Sequence, residues 1–132
     1  MSNKELVLEF LNSDYYKDES VYEKFIHPDV TISWNSSEGF SKLDFKEFKE
    51  IVLGMGKSFD TLTAEISHAI AEDKKVSVRF TYHVETLEHP ESIALAHFFS
   101  FWEIKDDKLF KIYLMSHPAD ETPENLTSYL TI

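Results

Sequence analysis

Residues 95–117 read LAHFFSFWEIKDDKLFKIYLMSH, and the reading of this stretch decides the fold. Two strand-like runs flank Asp106-Asp107, which reads as a two-residue hairpin turn. That turn sets Lys105 opposite Lys108, Phe101 opposite Ile112, Phe99 opposite Leu114 and His97 opposite Ser116. One face then carries Leu95, His97, Phe99, Phe101, Phe110, Ile112, Leu114 and Ser116. It is nearly all apolar and is expected to meet a layer of helices. The other face carries Phe98, Ser100, Trp102, Lys111, Tyr113, Met115 and His117. Exposed Phe98, Trp102, Tyr113 and Met115 make a large apolar patch for a monomer, so a homodimer through this face is expected. A slip of one residue would exchange the two faces.

Working back from the hairpin, strands are predicted at about 61–72 and 75–87, then 92–105 and 108–117, with turns at Asp73-Lys74 and His89-Pro90-Glu91. Short connections make neighbours antiparallel. Val76, Val78, Phe80, Tyr82 and Val84 form an apolar row that joins the helix-facing side. Earlier, Ser2 and Glu5 suit a helix start, and Leu6, Val7, Phe10 and Leu11 share a helical face. A second helix carries Val21, Tyr22, Phe25 and Ile26, and Pro28 stops it. Val30 to Asn35 alternates like a strand, and Gly39 lies in a polar loop. The longest helix, about 43–58, buries Phe45, Phe48, Val52, Met55 and Phe59. Helices first and an antiparallel sheet afterwards predict one α+β domain over residues 1–132, with 119–132 as a C-terminal tail.

Composition narrows the function. The chain has 132 residues and a formal net charge of −11. Such a charge repels phosphate backbones, so neither nucleic acid nor an anionic membrane is an expected partner. With no cysteine, thiolate metal sites, disulfides and cysteine nucleophiles are excluded, and a cytoplasmic location is expected. Three glycines cannot supply a dinucleotide or phosphate loop, and no cofactor is expected. A histidine row of His83, His97 and His117 would need registers that break the apolar face, so no metal is expected.

The order of three helices around one strand, then a long meander, resembles the nuclear-transport-factor-2-like fold, in its SnoaL-like branch. The segments Val7–Asn12, Phe25–Val30, the capped helix after Gly39 and Phe101–Leu109 carry the resemblance. Asp107 stands where glycine is usual. The resemblance implies a curved sheet and helices closing a cone-shaped pocket, often in dimers. It also implies a choice among cofactor-independent isomerases, cyclases or dehydratases, small-molecule binders and protein-interaction modules. Ketosteroid isomerases carry a tyrosine, an aspartate base and an acidic donor at positions held here by Val7, Trp34 and about Phe99. That chemistry is therefore not expected. The aspartate of SnoaL-like cyclases matches about His117.

His97, the titratable group in the middle of the apolar face, is the expected acid–base residue. Tyr82 is the expected hydrogen-bond donor beside it. Trp34, Phe99, Phe101, Ile112, Leu114 and Ser116 are the expected walls for a small apolar or aromatic ligand. Each has a plainer reading as core. Tyr15 and Tyr16 either cap the pocket mouth or pack beneath the next helix.

Overall fold

Ser2 opens the first helix, α1 (Asn3–Leu11), by accepting the Glu5 amide on its hydroxyl. The Ser2 hydroxyl in turn donates a hydrogen bond to the Glu5 carboxylate at 3.1 Å. Asp18 caps α2 (Glu19–Phe25), and Asp44 with Glu47 forms a reciprocal capping box at α3 (Phe45–Met55). A short α4 (Pro123–Thr127) follows Thr122 near the end of the chain. The computed structural model describes residues 2–86, 91–119 and 122–129. The predicted turn residues His89 and Pro90, and Leu130 and Ile132 of the tail, lie outside them.

Six strands form one curved, open sheet: β1 (Ile26–Ser36), β2 (Gly39–Leu43), β3 (Thr61–Glu72), β4 (Lys75–Glu85), β5 (Ile93–Lys105) and β6 (Lys108–Pro118). Their spatial order is β2-β1-β6-β5-β4-β3. The meander from β3 to β6 is antiparallel, as its short turns require. Asp106 and Asp107 both adopt positive φ, which suits a tight hairpin between right-twisted strands. Two features of the strand order depart from the sequence reading. β1 pairs with β6 in parallel, which makes the sheet mixed. The segment after Gly39, read as a polar loop, is the edge strand β2. It is short and mostly exposed, so no apolar alternation marks it.

Irregular pairing bends the sheet. Register shifts occur in β1 between Ile26 and Thr31, between Ile66 and His68, near Leu95, and at Phe110. Each leaves at least one residue out of the ladder and sharpens the local twist. Pro28, which has no amide hydrogen to give, sits within the β1 irregularity. Phe110 packs edge-on against His27, whose Nδ1 accepts the Asp29 amide and whose Nε2 faces the Asp106 carboxylate at 3.1 Å.

The shift at Phe110 overturns the predicted faces of β5. Ile104 pairs with Leu109, but Glu103 pairs with Lys111, so beyond the turn every partner moves by one. Trp102 lies opposite Ile112, Phe98 opposite Ser116, and His97 opposite His117. Phe98 and Trp102 therefore belong to the buried inner face, not to the outer patch. His97, Phe99 and Phe101 belong to the outer face, not to the helix side. Because side chains alternate along a strand, a single extra residue is enough to exchange them. Ile112, Leu114, Tyr113 and Met115 keep their predicted sides, as does the β4 row from Val76 to Tyr82.

The core fills the space between the helices and the inner face. Val7, Phe10, Leu11, Tyr22, Ile26, Ile32, Phe80, Trp102, Leu109 and Ile112 are among its fully buried members. The Trp102 indole donates to Ser100 Oγ at 2.8 Å, and Ser100 donates to the Val78 carbonyl at 2.7 Å. Both polar groups are thus satisfied within the apolar layer, where an unpaired one would be costly.

Candidate functional site

A cavity of about 140 Å³ lies between the helices and the inner sheet face. Helix α1 contributes Phe10 and Leu11, and the following loop contributes Tyr15. Phe48, Val52 and Met55 come from one stripe of α3, spaced as a helix requires. The sheet supplies Trp34 of β1, Phe80 and Tyr82 of β4, Ala96, Phe98 and Trp102 of β5, and Leu114 and Ser116 of β6. Leu95, partly exposed, stands at the rim. No charged side chain occurs among the described residues lining this space.

Aromatic contacts set the shape of the walls. Phe80 and Phe98 stack with ring centres 5.1 Å apart, and Tyr82 meets Phe98 edge-on at 5.4 Å. Phe10 stacks on Tyr15 at 4.2 Å and meets Trp102 edge-on. Such pairs hold rings in definite orientations, so the cavity is bounded by stiff surfaces.

Two polar pairs interrupt the apolar walls. The hydroxyls of Tyr15 and Tyr82 are 2.6 Å apart, and both residues are almost wholly buried. The Trp34 indole donates to Ser116 Oγ at 2.9 Å. Burial pushes the Tyr15 phenol far above its ordinary pKa, although the hydrogen bond from Tyr82 partly opposes the shift. Burial likewise raises Tyr82 well above that value, and the adjoining Tyr15 adds to it. Both phenols therefore stay protonated at neutral pH and act as hydrogen-bond donors, not bases.

The rim is tied down by the loop after α3. Lys17 Nζ donates to the Gly56 carbonyl at 2.6 Å and to the Phe59 carbonyl at 2.5 Å. Gly56 approaches the backbone of Tyr16 so closely that a Cβ there would stand 2.0 Å from the Tyr16 carbonyl oxygen. The Tyr16 hydroxyl accepts the Leu62 amide at 2.9 Å. Tyr15 thus faces the cavity while Tyr16 braces the start of β3.

The structure brings together four of the residues singled out in the sequence: Tyr82, Trp34, Leu114 and Ser116 all line the cavity. Ile112 lies on the same face but is fully buried beneath it. Phe99 and Phe101 are on the opposite face, 55% and 38% exposed. His97 is also there, buried by the C-terminal segment. Its Nε2–H donates to the Asn125 carbonyl at 2.9 Å, its Nδ1 lies 2.7 Å from the Thr81 hydroxyl, and its ring stacks on Tyr129. Both ring nitrogens are engaged away from the cavity, which removes the geometric basis for His97 as the acid–base group. His117 is exposed on the outer face, with Nδ1 2.9 Å from the Pro118 carbonyl. The cross-strand neighbours His97 and His117 belong to no metal-capable cluster of three among the described residues.

Tyr15 is the member that sequence reasoning left open. It lies in a loop, outside any periodic pattern, and its partner Tyr82 is 67 positions away.

A model described as a SnoaL-like domain matches residues 9–112. The chain belongs to the SnoaL-like family. No curated protein matches this SnoaL-like domain in sequence. Among solved structures it is similar to IdmH of Streptomyces antibioticus, described as a candidate polyketide cyclase, with TM-score 0.68 and 11% identity over 88% of this chain and 92% of that one. It is also similar to AclR of Streptomyces galilaeus, a candidate hydroxylase, with TM-score 0.66 and 20% identity over 86% and 74% of the two chains. TerC, solved with polyporic acid, gives 0.61 and 22% over 85% and 88%. At these identities the likeness is one of fold. Among the described residues of this SnoaL-like domain, no helix is long and apolar enough to cross a membrane.

Proposed function

We propose that this protein binds a small, mostly apolar molecule in the cavity between its helices and its sheet. The observation that carries the reading is an apolar space of about 140 Å³ whose aromatic walls hold one buried pair of phenols. A cavity of about 150 Å³ with apolar walls is known to take up benzene, so the size suits roughly one ring. Candidate polyketide cyclases among the structural neighbours favour a second reading, in which the bound molecule is isomerised, cyclised or dehydrated without a cofactor. In that case the phenols of Tyr15 and Tyr82 are the groups placed to donate a hydrogen bond or a proton. His97, on the other face of the sheet, lies outside the cavity lining.

The test is thermal unfolding in the presence of toluene. A ligand that binds only the folded state stabilises it by about 2.7 kcal/mol at a hundred times its Kd. Toluene is expected to raise the Tm of the wild-type protein and not that of Ala96→Phe, in which the added ring fills the cavity. No shift in the wild type, or an equal shift in both, overturns the reading.

The same proposal includes a homodimer through the outer sheet face. Phe99, Phe101, Tyr113 and Met115 flank a groove of about 350 Å³ there, and none of the described residues lining it is charged. In a chain of net charge −11, an uncharged apolar groove is where two copies can meet without repulsion. Sedimentation is expected to show two subunits for the wild type and one for Phe99→Glu. A wild-type monomer overturns this part.

A further inference from the structure

The tyrosine pair has more hydrogen-bonding capacity than it uses. Two hydroxyls bring two hydrogens, and the single contact of 2.6 Å between Tyr15 and Tyr82 consumes one of them. Neither hydroxyl has another hydrogen-bond partner among the described residues, and both side chains line the cavity. One O–H is therefore left to face an apolar space. A buried donor without an acceptor is costly, and the cost is relieved when a ligand supplies the acceptor. Ser116 also has a spare hydroxyl hydrogen, but it is only half-buried, so the donor of greater consequence is the phenol.

Charge and size limit what that acceptor belongs to. The described lining holds no cation to match an anionic ligand and no carboxylate to match a cationic one. The phenols remain protonated, so they offer a hydrogen and not a negative charge. A volume of about 140 Å³ suits one ring.

We propose that the cavity selects an uncharged, single-ring molecule with a carbonyl-type oxygen, and that this oxygen accepts the free hydrogen of the Tyr15–Tyr82 pair. The proposal rests on the pocket reading above. The pair is a recognition device with built-in redundancy, because either hydroxyl alone can still donate. Its contribution is seen only when both are removed.

Calorimetric titration with two isosteric probes tests it. Cyclohexanone carries the oxygen, and methylenecyclohexane replaces it with a CH2 group. Removing both phenol oxygens together, in Tyr15→Phe/Tyr82→Phe, leaves the walls close to their original shape and strands no buried partner. The double variant is expected to bind cyclohexanone about ten-fold more weakly, the size of one hydrogen bond. It is expected to bind methylenecyclohexane as the wild type does. Each single variant is expected to keep ketone binding. Equal ketone affinity in wild type and double variant overturns the inference, as does an equal loss for both probes, and either result leaves the pocket reading intact. Failure of both probes to bind the wild type overturns the pocket reading itself, and the inference with it.

Discussion

Phe98 and Phe99 are consecutive, identical residues of one strand, yet one is 7% exposed and the other 55%. The first stacks on Phe80 inside the domain. The second lies on an outer face where Phe101, Tyr113 and Met115 are also exposed. The two sides of this sheet thus share a composition and differ in what covers them. The inner side is closed by α1 and α3 and keeps a small cavity. The outer side is covered at one end, where α4 and Tyr129 seal His97 and Arg79. There, Arg79 packs over the Tyr129 ring at 3.7 Å and donates to the Ser128 carbonyl. Apolar character alone therefore does not define the core; the helices do, by choosing a side.

Truncating the inner side gives the largest expected effect. Trp102→Ala leaves a hole in a fully buried layer and is expected to cost about 3–5 kcal/mol in urea unfolding. Phe99→Ala, one face away, is expected to stay within about 0.5 kcal/mol for the isolated subunit. Similar losses for both would break the contrast between the faces.

The rim of the cavity comes next. In Gly56→Ala the new methyl collides with the Tyr16 carbonyl, and a backbone neighbour does not swing aside. A loss of about 1–3 kcal/mol is expected. Gly54→Ala is its control, since a Cβ there meets nothing within 4 Å. In the last turns of α3 that change is expected to raise stability by up to about 1 kcal/mol.

His97→Ala sharpens the exception on the outer side. Losing its bonds to Thr81 and Asn125 is expected to cost about 1–2 kcal/mol and to speed amide exchange in α4. Ligand uptake in the cavity should be unchanged. Loss of uptake would show that the two faces are coupled through β5.

The smallest effect is alkaline. Folding raises the pKa of Tyr15 and Tyr82, so the unfolded chain gives up their protons first. Their stabilising contribution is complete below the unfolded value of 10.0 and declines as pH rises above it. Unfolding curves from pH 9 to 11 should show a shallower decline for Tyr15→Phe/Tyr82→Phe than for the wild type.

Much of the architecture was legible along the chain. Ser2 before helical apolar spacing marked the first helix start. Asp106-Asp107 marked the hairpin, and the unbroken alternation from Val76 to Tyr82 assigned β4 to the inner side. The faces of β5 were not legible, because Phe98, Phe99, Phe101 and Trp102 let either phase look apolar. A trace of the answer lies in β6, where Leu109, Ile112 and Leu114 are spaced by three and then two. That spacing is what an extra residue at Phe110 produces.

The sequence by itself determined the succession of elements apart from the exposed edge strand β2, since capping, turn chemistry and hydrophobic period are properties of neighbouring residues. Only the tertiary structure decided the parallel pairing of β1 with β6, the bulge that moves His97 out of the cavity, and the meeting of Tyr15 with Tyr82. Each of these is a contact between distant segments, selected by how the whole sheet bends to cover its helices. A strand as apolar on both sides as β5 carries no local record of that bend.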